Sequence, residues 1–398
     1  MAGGPATQSP GAGGGEVLLI SFPHHLLHAI AALLFERRKT GVPDQAPATF
    51  LVWSFNASDH ASGSDFRGLV ARALRRFPRF SVCFPSLAER VSALSPYRLL
   101  CRRAEWIRRR LGENRVSGCY FSHDASADHT AQALMQAFPE GRRICFGDPP
   151  GFLHPPYTVE RPTIVDGGWL RNAFWASRLR GTGEIHRADL SLVAIDFRRD
   201  AGSASGELVE RVPRGVFLEV IAALADGLES DAAPRGVLLS RARAGEARQT
   251  AAHLLVLGNF AASRMMSPAR ELDLYQDICA ACVPEGEAVY LKPHYGMSAR
   301  LTADILQGLA GYGAELLPEG FRRVPVELLP GLPGRCRIIS VSSSSALLAF
   351  LYGEDVVHAL TSERIERYFD SSYVKYMRDS NQSIVDAVAQ ARAIARAN

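Results

Sequence analysis

The stretch RIISVSSSSALLAFLYGED, residues 337–355, decides the fold class. It begins with an apolar run typical of a buried strand, and an apolar helix starts near Ala346. Four consecutive serines, residues 342–345, join the strand to the helix. A strand that leads directly into a helix is typical of βαβ units, in which the strands lie parallel. The segment therefore predicts an α/β fold.

The same alternation of short apolar runs and amphipathic helices extends outward along most of the chain. In the first half we expect strands at residues 16–22, 49–55, 80–84, 118–122, 143–146 and 190–197, and helices at 24–38, 97–111, 127–138 and 215–228. In the second half we expect strands at 237–240, 253–257, 288–292 and 337–341, and helices at 271–282 and 371–397.

The length of 398 residues is too great for one ordinary core and predicts two domains. The polar stretch ESDAAPRG, residues 229–236, is the expected linker. We expect a disordered tail at 1–15, a Rossmann-like domain at 16–230, a second at 231–370, and a C-terminal helix at 371–398 that returns to the first domain. In such a pair of facing sheets, the ligand binds in the crevice beyond the carboxyl ends of the strands.

Composition excludes several classes of protein. A net charge of +4 is too small to indicate a nucleic-acid partner. The seven scattered cysteines are typical of reduced thiols in the cytoplasm, and the single CxxC, Cys279 and Cys282, has no second pair at zinc-site spacing. No apolar run approaches the length of a membrane span. We expect a cytoplasmic protein with no resident metal.

The serines at 342–345 lie where a parallel strand ends and a helix begins. Backbone N–H groups, a positive helix end and hydroxyl donors together form a phosphate site that needs no Walker lysine. The alternative is an ordinary serine N-cap.

In VYLKPHYG, residues 289–296, Lys292 and His294 follow a strand directly. A histidine there can protonate or hydrogen-bond a departing phosphate oxygen, and the lysine can supply charge. The alternative is that the histidine only caps a turn.

Two strand ends in the first half carry acids, Asp124 in CYFSHDAS and Asp148 in ICFGDPPGF. Either carboxylate could remove a proton from an acceptor across the crevice from His294. Taken singly, each is also a common turn or N-cap residue.

Two further groups of side chains allow more than one interpretation. His24, His25 and His28 open the first helix, where they could contact an acidic acceptor, bind a metal or have only a structural role. The basic stretch CRRAEWIRRR, residues 101–110, is either a solvated helix face or a surface for a polyanionic glycan or an anionic membrane.

Together, these segments resemble the bacterial sialyltransferase and polysialyltransferase families of the GT-B fold, most closely the capsule-type α-2,8-polysialyltransferase group. Those families share an acidic motif ending in glycine, a KxHP-type motif and a Ser-Ser motif in that order. The counterparts here are GDPPG at 147–151, KPHY at 292–295 and SSSS at 342–345. The resemblance extends to YFSHD, RICFGD, LVLGNF and VPVELL and so covers most of residues 16–360.

The resemblance implies a general base and a general acid, Asp148 and His294, with Asp124 as a rival base. The donor-binding residues that we expect are Lys292, Gly258, Asn259, Glu327, Ser342, Ser343, Ser344 and Ser345, and the acceptor-binding residues are His24, His25 and His123. Two departures stand out, because Tyr295 replaces the proline of the KxHP motif and the acidic motif reads Gly-Asp-Pro.

We therefore expect an inverting, metal-independent glycosyltransferase that moves sialic acid or a related nonulosonic sugar from a CMP-sugar to an oligosaccharide or glycolipid acceptor. The second domain would bind the nucleotide, and peripheral contact with the inner membrane or a capsule assembly is a further expectation. Two alternatives remain open, a transferase of the same fold that uses CMP-Kdo or another nucleotide sugar, and a non-catalytic glycan- or nucleotide-binding protein.

Overall fold

The computed structural model describes residues 15–53, 63–85, 99–112, 116–122, 129–147, 186–196, 208–229, 252–294, 296–318, 324–329 and 336–397. The predicted strand at 237–240 lies outside these ranges. The domain boundary near residue 230 stays a prediction, because residues 230–251 are outside them as well.

Seven described strands of the first half form one parallel sheet with the order β3-β2-β1-β4-β5-β6-β7. They are β1 Gly15–Ile20, β2 Ala48–Val52, β3 Phe80–Cys83, β4 Val116–Ser122, β5 Arg142–Phe146, β6 Leu190–Val193 and β7 Leu208–Arg211. The central strand β1 is buried along Glu16–Ile20, as expected of a parallel strand covered on both faces.

Five described strands of the second half form another parallel sheet, with the order β10-β9-β8-β11-β12. They are β8 Ala252–Val256, β9 Ala288–Lys292, β10 Ala314–Leu316, β11 Cys336–Ser340 and β12 Val356–His358. In both sheets the strand order reverses beside the first strand, between β1 and β4 and between β8 and β11. Loops diverge at such a point and leave a crevice at the carboxyl ends.

The helices in the described ranges cover the sheets. They are α1 His25–Thr40, α2 Gly63–Ala73, α3 Leu99–Leu111, α4 His129–Ala137, α5 Arg214–Glu229, α6 Pro268–Cys282, α7 Ala299–Gly308, α8 Ser344–Tyr352, α9 Ser362–Tyr368 and α10 Ser371–Ala397. Their ends follow local rules. Helix α1 ends at Gly41, which takes the left-handed conformation (φ 76°). Ser267 caps the start of α6, because its side chain accepts a hydrogen bond from the Arg270 N–H, and Pro268 occupies the first turn.

The last helix, α10, packs along α8 of the second domain and buries Ile384, Ala387, Val388 and Ala391. It also reaches the first domain. The Gln390 amide nitrogen donates to the Asp196 carbonyl (3.3 Å), and its amide oxygen accepts from the Arg211 guanidinium (2.7 Å). The predicted α/β class is confirmed, with two parallel sheets whose strand orders are those of Rossmann-like folds.

The sequence did not predict β7, β10, β12, α2, α7 or α9. Strands β10 and β12 have only three residues each, too few for an apolar run to stand out. Cys279 and Cys282 lie in the last turns of α6, and the cysteines described in the structure are free thiols.

Candidate functional site

A cavity of about 250 Å³ lies where the carboxyl ends of the two sheets meet. The second domain contributes Val256, Leu257, Lys292, Pro293, His294, Val324, Pro325, Val326, Glu327, Ser342, Ser343, Ser344 and Leu347. The first domain contributes Pro23, His24 and His28, which follow β1. The cavity therefore occupies the crevice that the strand order predicts, at the reversal points of both sheets.

The serine loop (residues 342–345) joins β11 to α8, and three of its four residues line the cavity. The Oγ atoms of Ser342 and Ser344 are 2.7 Å apart, and Ser344 Oγ lies 3.2 Å from Ser340 Oγ. Ser343 occupies the N-cap position, yet in the described structure no side chain caps α8. The positive end of α8 and a cluster of hydroxyl groups therefore lie together at the cavity, as an anion site requires.

Ser345 differs from the other residues of the serine loop. It is fully buried and lies behind the cavity, where its hydroxyl donates to the Ser342 carbonyl (2.7 Å) and lies 2.8 Å from His358 Nδ1. Ser345 therefore supports the loop from behind and does not line the cavity.

Lys292, the last residue of β9, is buried at the cavity wall. Its ammonium group donates a 3.4 Å hydrogen bond to the Pro293 carbonyl. Burial lowers the pKa of Lys292 to about 8, and the nearby Glu327 carboxylate offsets only part of that effect. An anion in the cavity would favour the charged form of this amine and raise its pKa again.

His294 follows two residues later and is half-buried. Its Nδ1 accepts a 3.1 Å hydrogen bond from the Gly296 N–H, so the neutral ring carries its proton on Nε2. Burial, then the charge of Lys292, then that of His24 lower the pKa of His294 to about 4. The ring is therefore neutral near pH 7, with Nε2–H as its donor.

Glu327 lies in a 3-10 turn, Val326–Leu328, and is 5% exposed. The turn is fixed by Tyr352 at the end of α8, whose hydroxyl donates to the Glu327 carbonyl (3.0 Å). The Glu327 carboxylate is thus a buried acceptor beside the lysine.

The histidines of α1 divide between two roles. His24 immediately precedes the first helical residue and lines the cavity. His28, one turn into the helix, also lines the cavity. His25 is buried, accepts a hydrogen bond from the Ser21 N–H (3.3 Å) and packs its ring edge against Phe146. The His24 side chain makes no capping hydrogen bond, and the first turn of α1 is closed by backbone bonds from the His25 N–H to the Phe22 carbonyl (3.1 Å) and from the Leu26 N–H to the Pro23 carbonyl (3.3 Å).

Gly258 and Asn259 lie in the loop after β8, directly after Val256 and Leu257 of the cavity wall, and are not themselves part of that wall. The Gly258 N–H donates to the Tyr275 hydroxyl (2.7 Å), and the Asn259 Oδ1 is buried without a hydrogen-bond partner among the described residues. A Cβ atom at Gly296 would lie 3.1 Å from Asn259 Nδ2 and 3.4 Å from His294 Nδ1, so a side chain at this position would press on the Asn259 side chain.

Sequence reasoning missed the residue that fixes this loop. The fully buried Glu271 of α6 accepts the N–H groups of Phe260 (3.2 Å) and Ala261 (2.7 Å), and the Tyr275 hydroxyl donates to it at 3.2 Å. Burial raises the pKa of Glu271, opposed by these hydrogen bonds. An acidic residue in an amphipathic helix gives no sequence signal that it faces inward.

The acidic side of the predicted site lies outside the described residues. The residues concerned, which are not among those that the structure describes, are Asp124, Asp148, His123 and Tyr295. The roles of both aspartates therefore stay predictions from the sequence.

The basic helix α3 is partly tied to its neighbours. The Arg103 guanidinium donates to Thr130 Oγ1 (3.0 Å) and lies over the Trp53 ring (5.0 Å), and Arg108 donates to the carbonyls of Gln136 and Ala137 (both 2.8 Å) at the end of α4. These two arginines therefore help to join α3 to the rest of the first domain, while Arg109 and Arg110 are exposed.

Within the ranges that the structure describes, no three His, Cys, Asp or Glu side chains come together as a group that could hold a metal ion. In the same ranges, no helix has the length and apolar character needed to cross a membrane.

No protein-family model matches the chain, and no curated protein matches it in sequence. Among solved structures, the chain is similar to HepE of Anabaena with UDP and glucose, at 13% identity over 96% of this chain and 94% of that one, with a TM-score of 0.44. It is also similar to a UDP-GlcNAc 2-epimerase from Neisseria meningitidis, at 10% identity over 96% and 100%, with a TM-score of 0.47. At these values the likenesses carry no inference about activity.

The arrangement itself allows two kinds of chemistry. Hydroxyl groups, the positive end of α8 and a buried amine can hold an anionic group. The Nε2–H of His294, directed by the hydrogen bond at Nδ1, can donate to an oxygen on which charge develops.

Proposed function

We propose that this chain is an inverting, metal-independent glycosyltransferase that moves sialic acid or a related acidic nonulosonic sugar from a CMP-sugar to a glycan acceptor. The acceptor would be an oligosaccharide or glycolipid of a bacterial surface polysaccharide. The observation that carries the proposal is the anion site shared by the serine loop, Lys292 and His294 in the crevice between two Rossmann-like domains.

The charges of the cavity suit this donor class. A CMP-linked nonulosonic sugar carries one charge on its single phosphate and another on its carboxylate. Basic side chains from both domains line the cavity, among them Lys292 from the second domain and His24 from the first. Glu327 adds a carboxylate acceptor of the kind that binds ribose hydroxyl groups, the role that the sequence resemblance implies for it.

In the proposed reaction, Asp148, or Asp124 as its rival, removes the proton of an acceptor hydroxyl. The acceptor oxygen forms a bond to the anomeric carbon while the bond from that carbon to the phosphate oxygen breaks. The electron pair leaves with CMP, whose phosphate is held by the serine loop and receives a hydrogen bond or a proton from His294 Nε2. Direct displacement inverts the anomeric configuration.

In this proposal a metal ion is unnecessary, because CMP departs with one phosphate instead of a pyrophosphate. The cytoplasm is the proposed location, with peripheral contact at the inner membrane or a capsule assembly.

The test is release of CMP from CMP-sialic acid and CMP-Kdo, with UDP-glucose as a comparison, in the presence of acidic oligosaccharide acceptors. We expect release from one CMP-sugar, reduced at least about a hundredfold in His294→Gln, because a general acid contributes on that scale. His253→Gln is the matched control, since His253 is a buried histidine of the same sheet whose ring pairs with Glu287 away from the cavity.

The other outcomes separate the alternatives. Release only from CMP-Kdo or the UDP-sugar would replace the proposed donor and keep the reaction class. Tight CMP binding without turnover of any donor would identify a binding protein and overturn the proposal of an enzyme.

A further inference from the structure

A buried chain of hydrogen bonds runs from the back of the serine loop to the last helix. The Ser345 hydroxyl donates to the Ser342 carbonyl (2.7 Å) and lies 2.8 Å from His358 Nδ1. On the other side of the ring, His358 Nε2 lies 2.7 Å from Asn381 Oδ1 in α10. The Asn381 amide nitrogen in turn donates to the Leu360 carbonyl (2.9 Å).

The bonds of Asn381 fix which nitrogen of His358 carries the proton. Because its amide nitrogen is engaged by a carbonyl, Asn381 presents an oxygen to the ring, and that oxygen can only accept. Nε2 must therefore donate. Burial lowers the pKa of His358, so near pH 7 the ring is neutral and Nδ1 is an acceptor. The single proton of the Ser345 hydroxyl is therefore shared between two acceptors, the Ser342 carbonyl and His358 Nδ1.

The chain acts on the shape of the serine loop. The Ser342 carbonyl accepts both the Ser345 N–H (3.0 Å) and the Ser345 hydroxyl, so it points toward buried Ser345. A carbonyl oxygen aimed into the cavity would repel an anion, whereas this arrangement leaves the hydroxyls of Ser342 and Ser344 at the cavity.

We propose that His358 and Asn381 are positioning residues, which hold the serine loop in its anion-binding shape through Ser345 and so make the last helix part of the nucleotide site. The idea that the anion is the phosphate of CMP rests on the proposed function. The support of the loop does not, because it follows from the hydrogen bonds alone.

The test uses the whole chain and two readouts. The first is amide hydrogen exchange of the serine loop without ligand, and the second is the affinity for CMP by calorimetry. In His358→Leu and in Asn381→Leu we expect faster exchange at the loop and a loss of about tenfold or more in CMP affinity, the scale of one lost buried hydrogen bond. His358→Gln, which keeps one donor and one acceptor, should recover most of the affinity.

Two controls make the result specific to the loop. His253→Gln changes a buried histidine in the same sheet as His358 that takes no part in this chain of hydrogen bonds. It should leave loop exchange and CMP affinity as they are in the unaltered protein. The ¹⁵N signals of His358 should show a proton on Nε2, and Asn381→Leu should disturb that pattern.

Unchanged loop exchange and unchanged CMP affinity in both leucine variants would overturn the positioning role. Faster loop exchange in the leucine variants, together with no CMP binding by the unaltered protein, would keep the positioning role and reject the proposed function. If either leucine variant fails to fold, Asn381→Ser takes its place, and a CMP affinity and a loop exchange rate in Asn381→Ser equal to those of the unaltered chain would overturn the positioning role.

Discussion

At the scale of single residues, burial lowers the pKa of both an amine and an imidazole at the cavity, but it leaves the two groups in different charge states near pH 7. Lys292 keeps a pKa of about 8 and His294 one of about 4. Between these pH values Lys292 is an ammonium group and His294 is a neutral hydrogen-bond donor. That is a suitable resting state for capturing an anion and then assisting its departure.

We predict that CMP binding weakens as the pH rises through 8. Below that value Lys292 is an ammonium group, and above it the free protein loses the charge that a phosphate would stabilise. If the phosphate raises the pKa of Lys292 by about one unit, affinity should fall by roughly tenfold between pH 7 and pH 9.5, because one unit of pKa change corresponds to a factor of ten. For the same reason, binding at pH 8.5 should be accompanied by proton uptake. Calorimetry in buffers of different ionisation enthalpy measures both effects.

Lys292→Met should abolish the proton uptake, whereas Lys375→Met, an exposed lysine on α10, should preserve it. Equal proton uptake in all three proteins would contradict the assignment to Lys292.

At the scale of elements, the loop after β8 depends on two side chains from the helix that follows it. Tyr275→Phe removes the hydroxyl that accepts from the buried Gly258 N–H, so it should lower the free energy of unfolding by about 1–3 kcal/mol, the cost of an unsatisfied buried donor. Urea denaturation measures the loss. Tyr373→Phe, a partly exposed tyrosine at the start of α10, is the comparison, and a loss of equal size there would speak against a specific role for Tyr275.

The elements that could be predicted from sequence are those whose signal is local. Strands β1, β9 and β11 are apolar runs, and α10 was predicted at residues 371–397, which are its observed bounds. Short strands such as β12 have no such run, since their place depends on pairing with β11. The candidate site divides in the same way. Lys292, His294 and three of the serines could be found because they follow strands, whereas the inward direction of Ser345 depends on partners far along the chain.

At the scale of the whole molecule, one helix links the domains to the cavity. The serine loop precedes α8, and at the other end of α8 the Leu351 carbonyl accepts two hydrogen bonds from the Arg214 guanidinium (3.2 and 2.6 Å). Arg214 begins α5, which packs on α1 of the first domain. A cation at the carboxyl end of α8 also complements its dipole.

We predict that Arg214→Met weakens the coupling between the domains. Its thermal unfolding should broaden or divide into two transitions, because an interdomain contact is lost while each sheet stays intact. Scanning calorimetry tests this. The control is Arg270→Met, which removes an exposed ion pair with Asp370 inside the second half of the chain, and a single transition of unchanged width in Arg214→Met would refute the coupling.

The lowered pKa of the buried Lys292 also affects how readily the protein is chemically modified. A primary amine with a pKa of about 8 is partly unprotonated at neutral pH, and in that form it is a nucleophile toward aldehydes and activated esters. The aldehyde of an open-chain reducing sugar that entered the crevice could form a Schiff base with this amine. A bound anion would suppress that reaction by restoring the ammonium form, so occupancy of the cavity would also protect Lys292 from glycation.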